Sequence, residues 1–267
     1  MIEKTSLASL AAKHHSDKGL AGPTPRWNGN NYVDIYEAYL RDRRLDPIVM
    51  LEIGIGVTGP YWRADIAQAA NCGGGASVKM WQDYFASGMI YAMDINPAQH
   101  LDTDRIKTFV VDQGSRQELN SFKKQMAGVR FDFIIDDGSH RGDHQQCSME
   151  LLWPTLKSNG LYIIEDLNDY GFGEQTDGRH GSSDCVSTRR LFREYLRTGS
   201  ILTPNGFDDT SFFSQIEDAC FHSPRPKLDF SMIGREAVRC VLGRAKKGVG
   251  QTKFSEGSHK MLVLTKR

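Results

Sequence analysis

Phe131-Asp-Phe-Ile-Ile-Asp136-Asp137-Gly-Ser-His140 decides the reading of this chain, together with Tyr162-Ile-Ile-Glu165-Asp166 further on. In each stretch a short apolar run ends in two acids. An apolar run of this length without polar alternation is a strand buried on both faces, as in a parallel sheet. Ile48–Ile53, Met89–Asp94 and Ile106–Val111 have the same shape. Between the strands lie stretches with helical spacing. Ser77–Phe85 places Val78, Trp81 and Phe85 on one face, with Ser77 as the expected N-cap. Ser115–Met126, His144–Leu156 and Asp184–Arg197 are the next helices, and Met261–Thr265 is a last strand. Strands alternating with helices predict an α/β fold, a doubly wound and mostly parallel sheet with an antiparallel last strand. In such sheets ligands bind beyond the carboxyl ends of the strands, where the winding reverses.

We expect a single domain over residues 1–267. Residues 1–45 form an N-terminal helical segment, 168–200 a lid-like insertion, and 223–258 a basic irregular segment. The 168–183 part is rich in Gly, Asp, Asn and Ser, the composition of a loop over a crevice.

Composition excludes several classes. The chain has 33 Lys plus Arg against 33 Asp plus Glu, a formal charge of zero, which argues against nucleic acid held by bulk positive charge. No apolar run reaches the ~18 residues of a membrane span. The N-terminus lacks the order of a signal peptide. Five cysteines without a CxxC pair read as reduced thiols of a cytoplasmic protein. The neutrality is uneven: Arg225–Arg267 holds 11 basic and 3 acidic residues, so the rest of the chain is acidic. The basic part reads as a solvated surface, or as one that meets an anionic acceptor or a partner subunit.

Gly54-Ile-Gly56-Val-Thr-Gly59 follows the first strand and is a literal G-x-G-x-x-G. By itself it fits a tight turn, a dinucleotide site or another nucleoside cofactor. Its glycines are expected to leave room for a cofactor against the backbone. Three features disfavour a nicotinamide cofactor. No helix starts within the motif; the next clear one begins near Ser77. The nearest strand-end acid, Asp94, stands 38 residues after Gly56 rather than about 20. Glu52 sits at the end of the first strand, where a carboxylate repels a pyrophosphate but suits a cationic cofactor such as S-adenosylmethionine. Asp94 is placed to accept the ribose hydroxyls, and Gln113 is a weaker candidate at the adenine end.

Asp136-Asp137 and Glu165-Asp166 end consecutive strands. If those strands are neighbours, four carboxylates meet within about one strand spacing, ~5 Å. Such a set is costly without a cation. All-oxygen ligands fit a hard divalent ion: Mg²⁺, or else Mn²⁺ or Ca²⁺. The competing reading has each acid capping its own turn. His140, on the same loop, is suited to act as a general base near neutral pH.

With these residues in view the chain resembles the S-adenosylmethionine-dependent, Mg²⁺-dependent O-methyltransferases that modify sugars on antibiotics, the mycinamicin, macrocin and elloramycin-type group. The likeness runs from His14 to Asp166. It rests on His15-Ser-Asp-Lys18, Leu51-Glu-Ile-Gly-Ile-Gly56, Gly74-Gly-Ala-Ser-Val-Lys-Met-Trp81, Met93-Asp-Ile95, Ile134-Ile-Asp-Asp-Gly-Ser-His140 and Ile164-Glu-Asp166. The resemblance implies a class I methyltransferase fold. It implies Asp137, Glu165 and Asp166 as Mg²⁺ ligands, with His140 and Asp137 in catalysis. It places Glu52, Gly54, Gly56, Ser77, Asp94, Gln113 and Asp136 around S-adenosylmethionine. The acceptor it implies is a small-molecule glycoside or other sugar-containing compound, and homo-oligomers are common in the family. Residues 60–73 and the sequence after Asp166 depart from the pattern, so the acceptor is the least transferable property. The rivals are an Mg²⁺-dependent methyltransferase of phenols or catechols, an NAD-dependent oxidoreductase on the same fold, and a non-catalytic binding protein.

Overall fold

The computed structural model describes residues 5–24, 27–28, 30–57, 73–167, 185–224 and 260–267, with backbone alone at 21–24 and 27–28. A seven-stranded sheet organises them. Its strands are β1 (Val49–Ile53), β2 (Met89–Asp94), β3 (Ile106–Val110), β4 (Phe131–Asp136), β5 (Leu156–Ile164), β6 (Ile216–His222) and β7 (Met261–Lys266). Their spatial order is β3-β2-β1-β4-β5-β7-β6. The pairs β1/β2, β2/β3, β1/β4 and β4/β5 are parallel. β7 runs antiparallel to both β5 and β6. All six expected strands are present, and the antiparallel last strand is as expected. β6 is an addition, and β5 starts at Leu156, ahead of the apolar run that begins at Leu161.

Six helices flank the sheet among the described residues: α1 (Leu7–His14), α2 (Val33–Leu40), α3 (Ala76–Tyr84), α4 (Arg116–Gln125), α5 (Gly142–Leu152) and α6 (Thr188–Thr198). Side chains alternate across each strand, which gives two cores. Met50, Ile90, Phe133, Ile135 and Ile163 pack with α1, α2 and α3. Leu51, Met93, Ile134, Tyr162 and Ile164 pack with α4, α5 and α6. Part of the expected lid-like insertion is therefore core: Leu191 and Phe192 of α6 are fully buried. Ser115 caps α4 by accepting from the Glu118 amide, as expected of a serine there. Ser77 does not cap α3. Gly75 occupies that position in the left-handed conformation, and Ser77 lies one residue inside the helix. No described helix is long and apolar enough to cross a membrane.

The parallel register aligns the strand ends. Ile53 of β1 pairs with Met93 of β2 and with Asp136 of β4, and Asp136 pairs with Ile164 of β5. Glu52, Asp94, Asp137 and Glu165 thus reach the same carboxyl edge.

Candidate active site

Alternation separates the acids that the sequence reading grouped. Asp136 follows Ile134 to the α5 side of β4. It is fully buried there, accepting two bonds of 2.7 Å from Gln113 Nε2 and one of 2.9 Å from Ser148 Oγ. Its carboxyl is raised by burial against those bonds. Asp136 is thus a buried anchor, its carboxylate turned to Gln113 and Ser148. Gln113 is spent in the same way, since its Oε1 accepts from the Ser139 amide at 3.0 Å. Together they fasten the 137–140 loop.

Asp137 follows Phe133 and Ile135 to the opposite side, where Glu165 and Glu52 also point. At their centre is a residue to which the sequence reading gave no role, Lys18. Its ammonium is fully buried and lies 2.6 Å from Asp137 Oδ2, 2.9 Å from Glu165 Oε1 and 3.4 Å from Glu52 Oε1. Tyr36 of α2 also donates to Glu165 Oε1. One ammonium cannot balance three carboxylates, two of them fully buried and Asp137 only a fifth exposed. Burial works against the charge of Lys18, but Asp137, Glu165 and Glu52 outweigh it and hold the amine protonated. The shortfall falls on the acids. Burial pushes Asp137 up to about 7 against the pull of Lys18, and burial with the nearby Asp137 charge raises Glu165. Burial likewise raises Glu52.

Asp166 sits apart from Glu165 because its backbone is left-handed, with φ 45°. Tyr32, immediately before α2, donates to its Oδ1 at 2.6 Å. His140 is also left-handed, with φ 58°. Its Nε2 stands 3.8 Å from Asp166 Oδ2, and its Nδ1 is buried without a hydrogen-bond partner among the described residues. Two strained non-glycine residues at one spot fit the pattern of functional sites. Asp137, His140 and Asp166 offer ligand atoms that all lie within 4.8 Å of one another. Two hard carboxylates and an imidazole in an electronegative setting fit a divalent ion. Glu165 is not in that group; its Oε1 is engaged by Lys18 and Tyr36.

The expected cofactor residues lie beside this cluster. Ser77 Oγ donates to Glu52 Oε2 at 2.9 Å. Asp94 Oδ2 accepts from the amides of Ile55 and Val57 at 3.1 and 3.4 Å, and its Oδ1 from the Asn96 amide at 2.9 Å. Asp94 therefore clamps the glycine turn. Gly54 and Gly56 both have positive φ, 77° and 65°. The reason for Gly54 differs from the one expected: a Cβ there would stand 2.3 Å from the Asp137 carbonyl oxygen and 2.5 Å from Gly138 Cα. Protein backbone of Asp137 and Gly138, not a ligand, fills the space. Gly74, singled out by sequence without a role, makes a similar approach, its would-be Cβ 2.8 Å from Gly56 O. Gly59, residues 60–72, the 168–183 loop and nearly all of the basic 223–258 segment lie outside the described residues.

No family model matches the chain. It is 39% identical over 164 residues to the 8-demethyl-8-(2-methoxy-alpha-L-rhamnosyl)-tetracenomycin-C 3'-O-methyltransferase of Streptomyces olivaceus, covering 60% of this chain and 36% of that one. It is 36% identical over 169 residues to the demethylmacrocin O-methyltransferase of Streptomyces fradiae, covering 61% and 39%. A mycinamicin VI 2''-O-methyltransferase of Micromonospora griseorubida is 37% identical over 155 residues, covering 57% and 36%. The matched region thus spans 36–39% of the length of these relatives. The structure of the MycE methyltransferase of the mycinamycin pathway, in complex with Mg, SAH and mycinamycin VI, superposes with a TM-score of 0.63. It is 24% identical and is matched over 99% of this chain and 55% of its own. This likeness shows the fold, that of a class I methyltransferase.

Proposed function

We propose that the chain is an S-adenosylmethionine-dependent, metal-assisted O-methyltransferase acting on a hydroxyl of a sugar moiety in a natural product or glycoconjugate. The observation that carries the reading is the gathering of Asp137, His140 and Asp166 directly beside the Glu52–Gly54 turn. Relatives named as the 3'-O-methyltransferase of a rhamnosyl-tetracenomycin and the 2''-O-methyltransferase of mycinamicin VI support it.

When bound, the cofactor supplies an electrophilic methyl group, and a divalent ion supplies Lewis acidity and orientation for the acceptor hydroxyl. Asp137 and Asp166 would hold that ion; Glu165, outside their group of ligand atoms, would join as a third carboxylate by sharing with Lys18. Tyr32 and Tyr36, one helical turn apart, orient Asp166 and Glu165 from behind. His140 takes the acceptor proton at a ring nitrogen. An aliphatic hydroxyl is a weak acid and needs such a base more than a phenol does. Glu52, Ser77, Asp94 and the 54–57 turn form the cofactor side. Placing both sides on one sheet edge aligns the reacting atoms, the source of most of the rate gain expected of such a site. The proposed setting is the cytoplasm, with a homo-oligomer as the proposed assembly and no nucleic-acid partner.

The test is a methyl-transfer assay on a glycosidic and a phenolic acceptor, with and without EDTA. Chelation is expected to abolish turnover, and the glycosidic acceptor to be preferred. His140→Ala is expected to reduce kcat by about 10²–10⁴-fold while leaving cofactor and Mn²⁺ affinity within a few-fold. Full activity after chelation would refute the metal role. Loss of Mn²⁺ binding in His140→Ala would make His140 a ligand instead of the base.

A further inference from the structure

One buried charge at this edge has no part in the chemistry above. The Lys18 ammonium bridges the carboxyl ends of three adjacent strands through Glu52, Asp137 and Glu165. Glu52 belongs to the cofactor side, where Ser77 holds its other oxygen. Asp137 and Glu165 belong to the metal side.

The position of Lys18 is fixed by backbone rather than by a swinging side chain. The Lys18 carbonyl accepts from the Val33 amide at 3.1 Å, at the start of α2. On either side, the Gly19 amide donates to Ser16 O at 3.2 Å and the Asn31 amide to Gly19 O at 2.9 Å. The α1–α2 connection therefore delivers the ammonium to one place.

We propose that Lys18 is a resident cation of the site, a positioning residue that shares Asp137 and Glu165 with the divalent ion. It keeps the carboxylates together when no ion is bound. It also moderates the hold on an ion that arrives, because a fixed like charge within a few ångströms repels it and already occupies lone pairs on two of the carboxylates. A lysine suits this role because its compact ammonium has three donors: here it hydrogen-bonds Asp137 and Glu165 and stands at ion-pair distance from Glu52. The proposal rests on the divalent-ion reading of the site and is independent of the acceptor.

The test replaces the charge with a side chain of similar shape, Lys18→Met, in the full chain. Mn²⁺ affinity is measured by calorimetry without cofactor or acceptor. Lys18→Met is expected to bind Mn²⁺ at least tenfold more tightly than the wild type, and Lys18→Arg to stay near the wild type. Unchanged or weaker binding by Lys18→Met would overturn the proposal, leaving Lys18 an ordinary folding contact. Should Lys18→Met be unfolded without metal, circular dichroism during a Mn²⁺ titration decides. Refolding by the ion supports a cation exchanged for a cation, and failure to refold at any concentration overturns it. A wild type that binds no Mn²⁺ would overturn the divalent-ion reading and this proposal together. A wild type that binds Mn²⁺ but transfers no methyl group would leave this proposal standing and sink the methyltransferase reading.

Discussion

Gly54→Ala distinguishes two accounts of the glycine turn. On one, the glycine clears space for a cofactor; on the other, it lets the β1 turn lie against the Asp137 loop. The structure favours the second. An alanine at φ 77° adopts left-handed backbone, which costs about 1–2 kcal/mol. Its Cβ would also stand 2.3 Å from Asp137 O, 2.5 Å from Gly138 Cα and 2.8 Å from the Asp137 carbonyl carbon. Backbone cannot rotate away as a side-chain tip can, and overpacking of this kind costs about 1–3 kcal/mol. The sum is roughly 2–5 kcal/mol, and at about 2–4 °C per kcal/mol for a chain of this size Tm falls by on the order of 10 °C. Gly199→Ala is the control. Gly199 has φ 74° at the end of α6, and nothing lies within 4 Å of a Cβ built there, so only the left-handed cost applies. Thermal unfolding of both variants isolates the clash as the difference between them. Mn²⁺ calorimetry on Gly54→Ala should also show weakened binding, because relieving the clash displaces Asp137. Equal Tm values for the two variants, with loss of S-adenosylhomocysteine binding confined to Gly54→Ala, would refute the backbone account.

Three further outcomes are expected. Asp132, at the start of β4, is almost fully buried and accepts from Arg43, Lys157 and the Val49 amide at 2.7–2.8 Å. Burial opposes its ionisation, but these bonds outweigh burial and hold the carboxyl below the usual carboxylate range. Its stabilisation is therefore present above the unfolded value of about 4 and is lost as pH falls through the folded one. Urea unfolding should find Asp132→Asn about 1–3 kcal/mol less stable at neutral pH, with the gap closing in acid; a gap independent of pH would count against the assignment. Tyr36→Phe removes a buried donor from Glu165 and should cost about 1–3 kcal/mol in the same assay, and a silent substitution would show that Lys18 alone satisfies Glu165. Asp94→Ala frees the amides of Ile55 and Val57 and removes the expected ribose acceptor, so calorimetry should find S-adenosylhomocysteine binding at least tenfold weaker; unchanged affinity would reduce Asp94 to a turn clamp.

The parallel core was legible because strands buried on both faces carry a signal in composition alone: β1, β2, β4, β7 and the Leu161–Ile164 part of β5 are apolar runs, and β3, half-exposed at the other edge, still keeps Ile106, Phe109 and Val110. β6 is different. Ile216-Glu-Asp-Ala-Cys-Phe-His222 lies at the sheet edge with β7 as its one partner, and most of it is only half-buried. Edge strands need no continuous apolar run, so Glu217 and Asp218 hid it. Lys18 was out of reach for another reason. Its partners Asp137 and Glu165 lie 119 and 147 residues away, and no local spacing reports a contact of that range. Tyr32 and Tyr36 share this obscurity, since an aromatic pair one helical turn apart reads as core.

The acids show a subtler limit. Counting carboxylates at strand ends placed four in one cluster, although strand geometry already forbids it: consecutive residues of a strand face opposite ways. That rule sends Asp136 to Gln113 and Ser148, and Asp137 to Lys18. Applied to β5 it would send Glu165 to Lys18 and Asp166 to the far face. Asp166 escapes because its φ of 45° turns the chain as β5 ends, and Tyr32 holds the carboxylate where it lands. His140 reaches the same spot through a φ of 58°. The alternation rule therefore accounts for Asp136, the acid that leaves the cluster. The strained backbone at two positions, invisible in residue type, accounts for the two groups that join Asp137.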